Sequence, residues 1–263
     1  MEPEAAVAIV QAGPMPGSIL LIRRAEREGD SWSGHWSLPG GRRDPSDADL
    51  LDTALRELAE ECGIQLDREH VAATLPPTIA RRRVGPYLLV APFLFQVDRE
   101  LPTTLDRREA VGSIWMPLST LLDPERHVLR AAPGRPSSML FPCIELDGPP
   151  LWGFTYRLLT DWLALTCKGE AGFKAASAVL DFLREHGLPA ERQWRQVEGA
   201  KVAFVRGAIP AAAVLEQFAR PGAHVAALNC LEVGEDQIRI LGPEFEEYVI
   251  TSDTSGSRYT PPA

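Results

Sequence analysis

Leu38-Pro39-Gly40-Gly41 and, after a short polar stretch, Arg56-Glu57-Leu58-Ala59-Glu60-Glu61-Cys62-Gly63-Ile64 are the two runs whose reading decides the fold of this chain. The second run has helical spacing. At about 100° per residue, Glu57, Glu60 and Glu61 fall within one arc of roughly 100°, while Leu51, Leu55, Leu58 and Cys62 gather on a separate apolar arc. One helix is therefore expected to carry both a core face and an acidic face. Its predicted span is about 47 to 62, with Ser46 or Asp47 as N-cap, Asp47 and Asp49 at the positive end of the dipole, and Gly63 as the left-handed residue that stops it. Gly40-Gly41 admits a backbone path closed to residues with a Cβ. A sharp turn there would bring amides or carbonyls from the end of a strand towards a ligand. Three carboxylates crowded on one turn call for a cation, and strand, tight loop and acidic helix together suit a site for a metal and a phosphate.

At these residues the chain resembles the Nudix hydrolases, whose box reads G-x5-E-x7-R-E-U-x-E-E-x-G-U, with U a bulky aliphatic residue. Arg56 to Ile64 matches every fixed position of the second half. Counting back from Arg56, Ala48 stands where the pattern has Glu and Arg42 where it has Gly. Read from Gly41, the box is one residue longer and has Asp47 at the early acidic position. A box of this length resembles the coenzyme A diphosphatase branch. Leu20-Leu21-Ile22-Arg23-Arg24-Ala25, Glu109-Ala110-Val111 with Trp115-Met116-Pro117-Leu118, and Leu151-Trp152-Gly153-Phe154-Thr155-Tyr156-Arg157 extend the likeness over about residues 5–167. One branch feature departs: the Arg four residues ahead of the Gly before the box is here Asp30, ahead of Gly34, and Arg27 lies nearby but displaced.

The resemblance implies a Nudix α/β/α sandwich with a mixed sheet, in the α+β class. It also implies a metal-dependent cleavage of a P–O–P bond in a nucleoside diphosphate derivative, with coenzyme A or an acyl-CoA as leading substrate. By the same resemblance Glu57, Glu60 and Glu61 are the ligands of Mg²⁺ or Mn²⁺, Glu57 also counts among the catalytic residues, and one of the three or a loop carboxylate serves the attacking water. Glu109 is the loop candidate, with Asp106 its neighbour, and Gly40 and Gly41 are expected to border the substrate. Arg56 reads as a partner of the carboxylates, because its guanidinium can bridge them bidentately. The alternative is a catalytically weak nucleotide-binding or regulatory module, for which the missing Glu at position 48 speaks. Taken alone, an acidic cluster is ordinarily a solvated helix face.

Composition frames these readings. The 263 residues are 45% hydrophobic and 24% charged, enough for one large or two modest domains. A net charge of −9 argues against a nucleic-acid binder, which would show a basic footprint. No apolar run approaches a membrane span and no basic leader is read at Met1-Glu2-Pro3-Glu4, so a cytoplasmic protein acting on a small-molecule diphosphate is expected. Cys62, Cys143, Cys167 and Cys230 form no CxxC pair and are expected as small buried thiols.

Along the chain, strands are predicted at Ala5–Gln11, Ser18–Arg23, Leu88–Gln96 and Ile114–Met116, with a helix at Leu118–Leu122. Arg81-Arg82-Arg83 could meet phosphate oxygens or lie on an exposed loop. Trp32, His35 and Trp36 could stack a base, core packing being the commoner use. The first domain is taken as residues 1–168. Residues 173–250 resemble no family and read as a small α+β domain: a helix at Ala175–His186, a strand at Val197–Val205 broken at Glu198-Gly199, a helix at Pro210–Arg220, and a hairpin of Val225–Val233 with Gln237–Leu241. Its expected role is to cover the site, to make a homodimer, to bind a regulatory ligand, or simply to pack. Residues 251–263 read as a disordered tail.

Overall fold

The computed structural model describes residues 2–28, 32–80, 87–132, 135–165, 171–190, 194–222, 225 and 228–252. Arg81 to Arg83, Cys167 and most of the proposed tail lie outside them. The contacts divide the chain into two units, one of residues 1–123 and 145–162, the other of residues 124–144 and 163–263.

In the first unit, β1 (Ala5–Ala12) and β2 (Ser18–Arg24) pair antiparallel through a tight turn, as their apolar runs predict. A Cβ on Gly17 would fall 2.4 Å from the Ala12 carbonyl, so only glycine closes that turn. β3 (Trp36–Ser37) flanks β2, and β4 (Gly40–Arg42) flanks β1. The chain then enters α1 (Leu50–Cys62), continues through β5 (Val71–Thr74) and β6 (Thr78–Ala80), and returns as β7 (Leu88–Val97), parallel to β1 along its length. β8 (Ala110–Pro117) runs well beyond the predicted Ile114–Met116, because it pairs with β2 from Ser18↔Pro117 to Arg24↔Ala110, and that pairing recruits residues with little apolar character of their own. α2 (Leu118–Leu122) follows directly, and β11 (Leu151–Trp152) leads into α3 (Gly153–Trp162) later in the chain.

Strand alternation gives the sheet two apolar faces. Ala6, Ala8 and Val10 of β1, Leu20 and Ile22 of β2, and Phe93 and Phe95 of β7 pack against Ala54, Leu58 and Cys62 of α1. On the reverse face Ala5, Val7, Leu88 and Val90 meet Phe154 of α3. Helix on either side of a mixed sheet is the α/β/α sandwich, and the chain is of the α+β class.

In the second unit, β9 (His127–Ala131) pairs with β10 (Met139–Ile144), and the sheet continues through β14 (Cys230–Val233), β15 (Gln237–Leu241), β16 (Glu247–Ser252), β13 (Ala200–Val205) and β12 (Arg195–Val197). α4 (Ala171–Glu185) and α5 (Ala211–Phe218) cover one face, burying Ala176, Val179, Leu180, Leu183 and Val214 against Leu231, Ile238, Ile240, Ala203 and Ile250. The break expected at Glu198-Gly199 is the turn between β12 and β13. Several features differ from the sequence reading: β9, β10 and β16 are additional strands, β14 begins at Cys230 and not at Val225, and residues 124–144, assigned by sequence to the first domain, join the second unit because Met139 and Leu140 pair with Glu232 and Leu231.

Candidate active site

The acidic helix starts at Leu50, three residues later than predicted. Asp49, in extended conformation, is its N-cap and accepts from the amides of Leu51 and Asp52 at 3.0 Å each. Its end is as expected: Gly63 has φ 67°, and its amide reaches the Ala59 carbonyl at 2.9 Å.

Asp47 is released from capping and does something else. Its side chain is 5% exposed, and it accepts from Arg56 Nε and Nη2 at 3.0 and 3.1 Å, from Thr53 Oγ1 at 2.8 Å and from the Asp44 amide at 2.9 Å. The hydrogen bonds from Arg56 hold its carboxyl down at about 2, against the opposing effect of burial. The same guanidinium donates through Nη1 to Glu57 at 3.0 Å and to Glu60 at 2.9 Å, and through Nη2 to the Arg42 carbonyl at 3.2 Å. All five of its donor positions are thereby used.

The three glutamates are graded in environment. Glu60 is 57% exposed, Glu57 16%, and Glu61 is buried. Burial raises the Glu57 carboxyl, opposed by Arg56 and assisted by the charges of Glu60 and Glu109. Burial pushes Glu61 up to about 8, with the Gly40 amide and Arg24 pulling it down and Glu57 and Glu109 pushing it up. The predicted acidic face is thus a gradient running from solvent into the fold.

Gly40 and Gly41 enter the site through these carboxylates. The Gly40 amide donates to Glu61 Oε2 at 2.9 Å, so this donor is already engaged by the protein. Gly41 pairs with Ala6 in the sheet, and a Cβ there would lie 2.2 Å from Glu57 Oε1, so its bare α-carbon provides the space that Glu57 fills. Glu109 precedes β8 and meets Arg27 Nη2 at 2.8 Å, within electrostatic reach of Glu57 and Glu61. Asp106, its neighbour, is gripped by Arg108 at 2.6 Å. Thr53 and Arg24 were given no role by sequence, and Arg27 was noted only as displaced from the branch position ahead of Gly34. Only Thr53, one helical turn before Arg56 on the same face, left a readable signal. Trp36 is buried, and His35 packs edge-on to Trp152 with ring centroids 5.1 Å apart, in keeping with packing roles. Burial pushes the Cys62 thiol up to about 12, which leaves it inert as a nucleophile.

Among the described residues, no group of three or more His, Cys, Asp or Glu side chains is arranged to hold a metal ion as it stands. The donor chemistry nevertheless fits a hard divalent cation. The carboxylates of Glu57, Glu60 and Glu61 offer oxygen alone, and a cation among them would offset the cost that burial places on ionising Glu61. No described helix is long and apolar enough to cross a membrane.

The NUDIX domain family matches residues 2–136. An uncharacterised protein of Schizosaccharomyces pombe is 39% identical over 111 residues, 41% of this chain and 34% of that protein, so this chain spans about a third of that relative's length. The mitochondrial coenzyme A diphosphatase NUDT8 of Mus musculus is 31% identical over 173 residues, 64% of this chain and 80% of that one. Among solved structures, a C. elegans Ap4A hydrolase binary complex aligns over 46% of this chain and 84% of that chain, at 20% identity and a TM-score of 0.37.

Proposed function

The chain belongs to the Nudix family, and from that premise we propose that it is a metal-dependent hydrolase of P–O–P bonds in a nucleoside diphosphate derivative, with coenzyme A or an acyl-CoA as its substrate. The observation that carries this reading is the Arg56 clamp: anchored on Asp47, it sets Glu57 beside the buried Glu61, with Glu109 in electrostatic reach of both. The 31% identity to a coenzyme A diphosphatase supports the substrate.

Glu57, Glu60 and Glu61 would hold Mg²⁺ or Mn²⁺, Glu60 doing so on release from Arg56 Nη1. Bound there, the ion would neutralise phosphate oxygens and lower the pKa of a water. Glu109 takes a proton from the attacking water, whose oxygen bonds to phosphorus as the bridging P–O bond breaks. The leaving phosphate carries away that electron pair, and one water is consumed for two phosphorylated products. Arg56 stays on Asp47 and Glu57 and fixes their geometry.

The test is turnover by the full chain with Mg²⁺ or Mn²⁺ on coenzyme A, ADP-ribose, dinucleoside polyphosphates and nucleoside triphosphates. Coenzyme A is expected to be hydrolysed best. Binding by calorimetry without product over long incubation would replace the enzyme by a ligand-binding module.

A further inference from the structure

Arg27 occupies no fixed position of the box, yet it joins two loops at the rim of the site. From the loop after β2, its Nη2 meets Glu109 Oε1 at 2.8 Å and also donates to the Arg108 carbonyl. Its own amide is held by Ser33 Oγ at 2.8 Å, and two residues earlier the Ala25 amide holds the Glu109 carbonyl at 2.8 Å. The backbone of Glu109 is therefore fixed by Ala25, while the direction of its carboxylate is governed by Arg27.

An ion pair with both side chains this open, 46% and 39% exposed, contributes little to folding. Its effect falls instead on where the Glu109 charge stands. A free glutamate has three rotatable side-chain bonds, and a general base loses rate when it wanders from hydrogen-bond reach of its proton. Asp106, the other carboxylate of the turn, is turned onto Arg108, so Glu109 is the one oriented by the opposite loop.

We propose that Arg27 is a positioning residue that aims Glu109 at the reaction centre, making the loop ahead of the box part of the catalytic apparatus. This deepens the function proposed above and rests on it.

The test is a double-mutant cycle on the full chain with Arg27→Ala, Arg27→Lys, Glu109→Gln and the double variant Arg27→Ala/Glu109→Gln. Three quantities are read: hydrolysis of coenzyme A with Mn²⁺, calorimetric titration with Mn²⁺ alone, and the thermal midpoint. Arg27→Ala is expected to lower kcat about tenfold at unchanged KM, as misplacement of a proton acceptor does. It should not weaken Mn²⁺ binding, because Arg27 is itself a cation and its removal takes no ligand from the ion, and it should leave the midpoint in place. The loss of rate should vanish in the Glu109→Gln background, and Arg27→Lys should recover part of it.

A rise in KM that persists with Glu109→Gln would make Arg27 a substrate contact and overturn the proposal. A loss of rate in Arg27→Ala that disappears at saturating Mn²⁺ would also overturn it, by placing the effect in metal binding and not in the aim of Glu109. A wild-type protein that neither binds Mn²⁺ nor turns over coenzyme A would instead bring down the proposed function, and this inference with it, a result distinguishable because the unmutated chain is already silent.

Discussion

Arg56 meets Asp47 through two parallel hydrogen bonds, Nε to Oδ1 at 3.0 Å and Nη2 to Oδ2 at 3.1 Å, across the start of the acidic helix. The planar fork of a guanidinium matches a carboxylate in just this way, so the pair fixes orientation as well as distance. With that edge of the guanidinium engaged, Nη1 is left to face Glu57 and Glu60. Asp47 thus positions Glu57 and Glu60 at second hand.

Replacing Asp47 by Asn keeps the size but removes the charge that the guanidinium grips. Asp47→Asn is expected to destabilise the chain by about 2 kcal/mol, in the range of a hydrogen-bonded charge contact, and to lower kcat. Urea unfolding and steady-state kinetics measure the two effects separately.

The same pair has an acid signature. The Asp47 carboxyl sits at about 2 in the fold against about 3.9 in an unfolded chain, so the stability it contributes is fully present above the unfolded value and is lost as pH falls through the folded one. The stability gap between wild type and Asp47→Asn should be constant from neutral pH to about 5 and close between about 4 and 2. Thermal midpoints across that range test it. A gap that widens on acidification would contradict the assignment.

Gly41 and Gly40 should fail in opposite ways. In Gly41→Ala the new Cβ displaces the end of a flexible side chain, Glu57, so rate is expected to fall sharply with little change in thermal midpoint. In Gly40→Ala it meets the Ala6 carbonyl at 2.4 Å and the Val7 backbone at 2.8 Å, and the strand itself must shift. That variant should lose about 2 kcal/mol or more of stability. Equal stability for the two variants would refute the distinction.

Glu60 is exposed and bound to Arg56, so removing its charge should leave folding nearly intact. Glu60→Gln is expected to lose metal affinity and rate together. Calorimetry with Mn²⁺ alongside turnover is the check, and unchanged metal-dependent turnover would remove Glu60 from the ligand set.

The acidic helix was legible in the sequence because its signals are local. The apolar arc of Leu58 and Cys62, the stop at Gly63 and the carboxylate spacing all fall within a few turns. The cap was misplaced for an equally local reason: Ser46, Asp47 and Asp49 are all competent N-caps, and only burial of Asp47 under Arg56 decides for Asp49. The pairing of Arg27 with Glu109 joins residues far apart in sequence and has no periodicity to betray it. The long β8 was hidden likewise, because Gly112 and Ser113 become strand only by pairing with Arg23 and Ile22 of β2. In the second unit β16 escaped notice since Glu247 and Thr251 bound an apolar run of only three residues, Tyr248, Val249 and Ile250, all of them buried.

The excursion of residues 124–144 into the second unit bears on how this protein can be divided. The backbone changes unit after Asp123, returns after Ile144 and leaves again after Trp162, so no single proteolytic cut or premature stop releases one intact body from the other. Ending the polypeptide ahead of α4 would leave β10 with the Met139 and Leu140 edge that β14 normally covers, an open template for aggregation. Inheritance of the two units is therefore tied: the hydrolase cannot shed its companion without also rebuilding the stretch between α2 and β11.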